Sequence, residues 1–429
     1  MRAVILGGGI SGLMSLISLK ELDTGVQEAL LVEKKDLLGG LVVTKKFKDC
    51  IFDFGPHIFH SKIPYILENI RPDLESNGFY PIKTYASSCW NGTLFDYPMS
   101  ADNILNLPRN MARNVIKEIY ERDGQALHAS NFEEYVTGIM GKTLFDIFFR
   151  DYTEKLWGES VGNIPASWAP QRISFRISDK SFFGEKEWEV GHSEGIQKIT
   201  DYLWQSSQNM WGGDLNVLPE TTCEKITPTK QNCFKIQLSS GAIVDSDLII
   251  SSIPLTELMH TMCIESRKLE YRVTKVVCIV IKQQKCLSKD WFYFVEKQYP
   301  FTRIFEIKNI LKEYSSEHTG LTVEYHMGKH DHLYTMSDDE LIHLTLRELS
   351  KLGIIEQQKV IDGFVWAEEN TYPVQTFETE RNYHANMEKI KLIPNVIVVG
   401  RLGKYRYMNM DDTLWDTYNE IKMWVSSRK

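Results

Sequence analysis

The chain has 429 residues, 43% hydrophobic and 25% charged, which is enough apolar content to bury a large core and too much for a disordered chain. Its formal charge of -8 excludes a general basic surface for nucleic acid, so any phosphate must be met by local arginines. The seven scattered cysteines form no CxxC pair and no zinc spacing, which fits reduced thiols in the cytoplasm and no metal site.

Arg2 to Leu6 is a short apolar run that stops at Gly7, and helical spacing follows from Ile10 to Leu19. Leu30 to Glu33 supplies a second strand and completes a βαβ unit. The glycine cluster interrupts the N-terminal apolar run and no small-residue cleavage site follows, so the segment does not read as a signal peptide. No apolar run approaches the roughly 20 residues of a membrane span, and no membrane insertion is expected.

Ile104 to Tyr120 predicts a helix, Ser130 to Glu133 a capping box opening another that Gly141 ends, and Leu144 to Tyr152 a third helical face. Residues 215 to 254 alternate as strands, with Asp247 to Pro254 a core strand returning to the nucleotide-binding lobe. Strand patterns near Lys275 to Lys282, Trp291 to Ile307 and Gly320 to His326 suggest an antiparallel sheet. Asn395 to Gly400 then reads as a buried strand, and an amphipathic helix begins at Asp411.

Gly7, Gly9 and Gly12 make G-x-G-x-x-G between the first strand and its helix, the arrangement that turns tightly, admits a pyrophosphate to the backbone and packs helix on strand. Ser11 lies inside this turn. Glu33, at the end of the second strand, stands where a carboxylate binds ribose hydroxyls. The fingerprint alone does not separate NAD from FAD. Its continuation to Gly39 and Gly40 adds a second glycine pair soon after the acid, which resembles the flavin amine oxidase and mutase superfamily.

Further segments resemble the bacterial UDP-galactopyranose mutases across nearly the whole chain. They are FDFGPHIFH from Phe52, YTEKLWG from Tyr152, PFTRIFE from Pro300 and GRLGKYRYMNMDDT from Gly400. The resemblance implies an α/β fold: a discontinuous Rossmann-like FAD-binding domain with a helical lobe and an antiparallel β-sheet lobe. The flavin domain would take residues 1–85, 201–255 and 366–429, the mainly helical substrate lobe 86–200 and the sheet lobe 256–365.

In that family reduced flavin N5 is thought to attack the anomeric carbon of a nucleotide-activated sugar, so that pyranose and furanose interconvert without net redox change. Carried over by residue, His60, Arg176 and Arg303 would be catalytic, the arginines meeting the charge that develops on the pyrophosphate. Tyr152, Trp157, Tyr325 and Tyr405 would bind substrate. Phe148, four before Tyr152, shares its helix face and reads either as a uracil-stacking ring or as core. His57, His60, Arg401, Met410 and Asp411 would face non-covalent FAD, which NAD(P)H could reduce from outside. The expected partner is a nucleotide-sugar, with a homodimer left open.

Two departures from the family pattern stand out, GHSEGIQKI from Gly191 and the Trp188-Glu189 pair before it, and they point to an altered sugar pocket. The competing reading is an FAD-dependent oxidase or dehydrogenase of the amine oxidase or protoporphyrinogen oxidase type. Such an enzyme has no use for arginines around a pyrophosphate.

Overall fold

The computed structural model describes residues 1–121, 128–167, 180–229, 233–311 and 317–428. Arg2–Leu6 lies at the centre of a five-stranded parallel sheet, in the order Leu215–Leu218, Glu28–Val32, Arg2–Leu6, Leu248–Ser251, Val396–Val398. Every position from Ala3 to Leu6 is apolar because both faces are covered: Ala3 and Ile5 enter one core cluster, Val4 and Leu6 another. On the first face the Ile10–Glu21 helix packs against the Gln197–Trp211 and Met410–Ser426 helices. The Trp211 indole N–H donates to the Leu16 carbonyl at 2.9 Å and ties two of them together.

The second sheet has seven strands in the order Val360–Pro373, Tyr271–Ile281, Thr319–Met327, Arg303–Phe305, Trp291–Phe294, Ala86–Trp90, Thr93–Tyr97. Along Thr319–Met327 the odd residues Leu321, Val323, Tyr325 and Met327 pack under the Asp338–Lys351 helix. The even residues therefore project from the opposite face. That alternation decides which side chains can reach the site.

The helical lobe is held by a core that includes Phe95, Phe132, Phe145, Phe148 and Trp157. Its details differ from the sequence reading. The long helix divides into Ala101–Leu105 and Arg109–Glu121, with Pro108 just ahead of the second piece. The cap falls one residue later than expected, with Asn131 accepting from Glu134 N at 2.9 Å, and Phe145–Phe149 forms a π-helical turn. Ala86–Trp90 and Thr93–Tyr97 join the large sheet through a parallel pairing with Trp291–Phe294 rather than staying with the helices. Among the described residues no helix is long and apolar enough to cross a membrane.

Candidate active site

A cleft runs from the glycine turn of the parallel sheet to the face of the large sheet that lies opposite the Asp338–Lys351 helix, with about 1860 Å³ of empty space including its mouth. Its walls include Gly7, Gly9, Ser11, Glu33, Gly39 and Gly40 at one end and His57, His60, Arg303, Arg401 and Met410 at the other.

The glycine turn is built for a ligand. Gly7, at φ +97°, lies against Ser252, and a Cβ on Gly12 would overlap the Gly7 carbonyl oxygen, so both are demanded by the chain's own packing. Gly9 differs: a Cβ there would meet nothing nearer than Gly40 Cα at 3.8 Å, so its missing side chain leaves space in the cleft. The second glycine pair docks directly on this turn, Gly39 N donating to the Gly8 carbonyl at 2.8 Å. Glu33 accepts from Gly8 N at 2.6 Å and from Lys35 N at 2.9 Å, fixing its carboxylate at the cleft wall. An open cradle at a helix N-terminus beside a fixed acid fits a dinucleotide.

At the far end, His57 has a buried Nδ1 with no hydrogen-bond partner. Burial first, then the charges of Arg401 and Arg303, push its pKa down to about 3, so the imidazole is neutral and its nitrogen is open to a donor from a ligand. Arg401 gives two N–H groups to the Met408 carbonyl, at 2.6 and 3.2 Å, and lies over the rings of Tyr407 and Tyr372. Those two tyrosines stack at 5.6 Å and both line the cleft. Arg303 pairs in two-point fashion with Glu324 and donates to the Tyr372 hydroxyl at 3.4 Å. Burial works against its charge, but the Glu324 carboxylate outweighs that and holds the guanidinium protonated. The Nη1 edge makes none of these bonds and can serve an anionic ligand.

Four of the expected ligand residues are placed elsewhere. Tyr325 is fully buried under the Asp338–Lys351 helix, its hydroxyl 2.7 Å from Thr345 Oγ1, because an odd position on that strand faces away from the cleft. Tyr405, at φ +47°, turns its ring into the core of the parallel-sheet domain, where its hydroxyl lies 2.7 Å from the Glu270 carbonyl and 2.8 Å from that of Val374. Phe148 is core, edge-on to Phe95. Asp411 is buried just behind the wall, at the start of the C-terminal helix.

Tyr152 and Trp157 reach the site at second hand, Tyr152 edge-on to Tyr293 and Trp157 edge-on to Tyr372. Arg176 lies outside the described residues. The residues that the sequence reading passed over are Tyr293, Glu324, Tyr372 and Tyr407, together with Phe182, Phe183 and Glu187 near His60. Strand parity offered a signal for Glu324, and the second tyrosine of GKYRY was visible without any means of choosing it over Tyr405.

Fold and site define a Rossmann-like dinucleotide-binding protein whose cofactor cleft opens onto an arginine- and tyrosine-lined pocket against a β-sheet lobe. An NAD(P)-binding Rossmann-like domain family matches residues 5–68. The UDP-galactopyranose mutase family matches residues 147–407, and the chain belongs to that family, a family of isomerases. A probable UDP-galactopyranose mutase of Klebsiella pneumoniae is 22% identical over 436 residues, covering 99% of this chain and 94% of that protein. A crystal structure of a reduced UDP-galactopyranose mutase shares the fold with a TM-score of 0.83 at 20% identity, over 99% of this chain and 94% of that one. A putative protoporphyrinogen oxidase from Exiguobacterium sp. 255-15 shares it with a TM-score of 0.76 at 16% identity, over 99% of each chain.

Proposed function

We propose that the protein is an FAD-dependent mutase that interconverts the pyranose and furanose forms of a UDP-galactose-like nucleotide-sugar. The observation that carries this reading is the convergence of Arg303, Arg401, Tyr372 and Tyr407 at the end of a dinucleotide cradle, where an oxidase would need an apolar tunnel. FAD would be held without a covalent bond by the glycine turn, Glu33 and the loop carrying His57. Bound and reduced, it supplies a nucleophilic nitrogen for the anomeric carbon.

The chain's own residues do the rest. Arg303 presents its Nη1 edge to the diphosphate and stabilises the charge that develops there as the bond from the anomeric carbon to the diphosphate oxygen breaks and the nucleoside diphosphate leaves. Tyr372 and Tyr407 donate hydroxyl hydrogen bonds to the same group, and Arg176, which the family resemblance pairs with Arg303, is expected to add a second guanidinium. Neutral His57 would accept a hydrogen bond from the cofactor through its unpartnered Nδ1, and His60 would line the cofactor's site. An external NAD(P)H reductant, a cytoplasmic setting and no nucleic-acid partner complete the reading, and the oligomeric state stays open.

The test is to incubate the purified protein, oxidised or reduced with dithionite, with UDP-galactopyranose and UDP-galactofuranose and to resolve the products by chromatography. A mutase is silent when oxidised and turns over many substrates per electron pair when reduced. Product formation that tracks oxygen consumption one for one would instead establish the oxidase reading.

A further inference from the structure

The Phe59–Ser61 strand pairs antiparallel with Trp188–Gly191, placing His60 opposite Glu189. Phe59 enters the core, so its neighbour His60 faces the other way and lines the cleft. There the Nδ1 of His60 lies 2.7 Å from a carboxylate oxygen of Glu187, with the two side chains only 8% and 13% exposed. The Phe183 ring stacks on the imidazole at 3.6 Å and 24°. Exposed pairs of this kind exchange freely with water, and one this sealed does not. Among the described residues lining the cleft it is His60, not Glu187, that is exposed to a ligand, and Glu187 meets the cleft through His60.

The backbone that carries Glu187 is pinned independently of its carboxylate. Lys83 Nζ donates to the Gly184 carbonyl at 3.0 Å, the Glu187 carbonyl at 2.7 Å and Glu189 Oε1 at 2.9 Å. The Asp411 carboxyl bears on His60 from the C-terminal helix, and the ammonium groups of Lys62 and Lys83 face Glu187. Burial opposes the Glu187 charge, but the His60 hydrogen bond and these lysines prevail and keep its pKa below the usual carboxylate value.

We infer that Glu187 is a positioning residue: by accepting the Nδ1–H of His60 it fixes the tautomer and ring plane that present Nε2 to the reacting centre. Which imidazole nitrogen carries the proton is set by the bond the other nitrogen makes, and a wrong tautomer leaves a histidine in place but unable to exchange a proton in the needed direction. The role at the reacting centre rests on the function proposed above. The tautomer itself does not.

The test uses the full chain with its cofactor bound and 15N-labelled histidine, with His60→Asn to assign the ring signals. In its neutral form, His60 of the native protein should show a single tautomer protonated at Nδ1. Glu187→Gln, whose amide can donate as well as accept, should show mixed tautomers while cofactor absorbance and circular dichroism stay native. Turnover of the variant should fall roughly 10- to 100-fold with KM within about twofold. Unchanged ring-nitrogen signals in Glu187→Gln would overturn the proposal, even if turnover fell, because the pair would then be a structural tie. A changed tautomer with native turnover would overturn it as well. If native protein isomerises no nucleotide-sugar yet shows the fixed tautomer and its loss in the variant, the mutase reading fails and the positioning of His60 stands.

Discussion

Arg303 and Glu324 face each other across adjacent antiparallel strands and join their side chains at two points, with Glu324 only 3% exposed. The carboxylate occupies the Nε and Nη2 edge of the guanidinium and sets the direction of the remaining edge. Gly55 makes room for it, since a Cβ at that position, φ +92°, would overlap Glu324 Oε1. The loop that carries His57 and the strand that carries Arg303 are thus linked by one acid.

Breaking that pair should cost stability as well as activity. Arg303→Ala leaves a buried carboxylate without its partner and is expected to lose about 3 to 5 kcal/mol in chemical denaturation, along with most turnover. Adding Glu324→Gln removes the stranded charge, so the double variant should recover much of the stability and none of the turnover. If the double variant is as unstable as Arg303→Ala, the ion pair is not the source of the loss.

The glycines of the turn should separate into two kinds. Gly9→Val is expected to fold and to lose its yellow cofactor, because a Cβ there meets the chain no closer than Gly40 Cα at 3.8 Å and the added methyls would take up space in the cleft. Gly12→Ala forces a Cβ onto the Gly7 carbonyl and should fail to accumulate as folded protein. Normal cofactor absorbance in Gly9→Val would show that the cradle does not hold the pyrophosphate.

The tyrosines give a matched comparison. Tyr325→Phe loses only a buried bond to Thr345 and should cost about 1 kcal/mol of stability with turnover unchanged. Tyr372→Phe removes a hydroxyl from the cleft beside Arg303 and should lower turnover with little change in melting temperature. The reverse pattern would return Tyr325 to the site.

Asp53 gives the fold a pH dependence. Burial raises its carboxyl from 3.8 to about 7, only partly offset by the Thr44 hydroxyl and the Ile196 N–H. The folded state then binds a proton that the unfolded state releases, so this group's contribution is fully present below pH 3.8 and is lost as pH rises toward 7. Asp53→Asn should flatten that decline, its denaturation midpoint improving relative to the native protein as pH rises from 3.8 toward about 7, the window that linkage defines. A constant difference across that range would show that Asp53 does not titrate there.

Local sequence reads well where one short segment makes the whole feature. The strand, glycine turn and helix from Arg2 to Glu21 form as their spacing implies, and Glu33 stands beside that turn because a βαβ unit of this length permits little else. Arg303 was also within reach, since Ile304 beside it packs into the core and parity sends the arginine to the cleft.

What the sequence by itself determined was the glycine turn of the first βαβ unit and the α/β class of the fold, because these rest on backbone geometry and on periodicity within single elements. Only the tertiary structure decided which tyrosines enter the site. Tyr405 and Tyr407 lie two apart, and a positive φ at the first turns one ring into the core and leaves the other in the cleft. Likewise, the partnership of His60 with Glu187 spans 127 positions of chain, a separation over which no local pattern constrains distance and only the pairing of two strands brings the groups together.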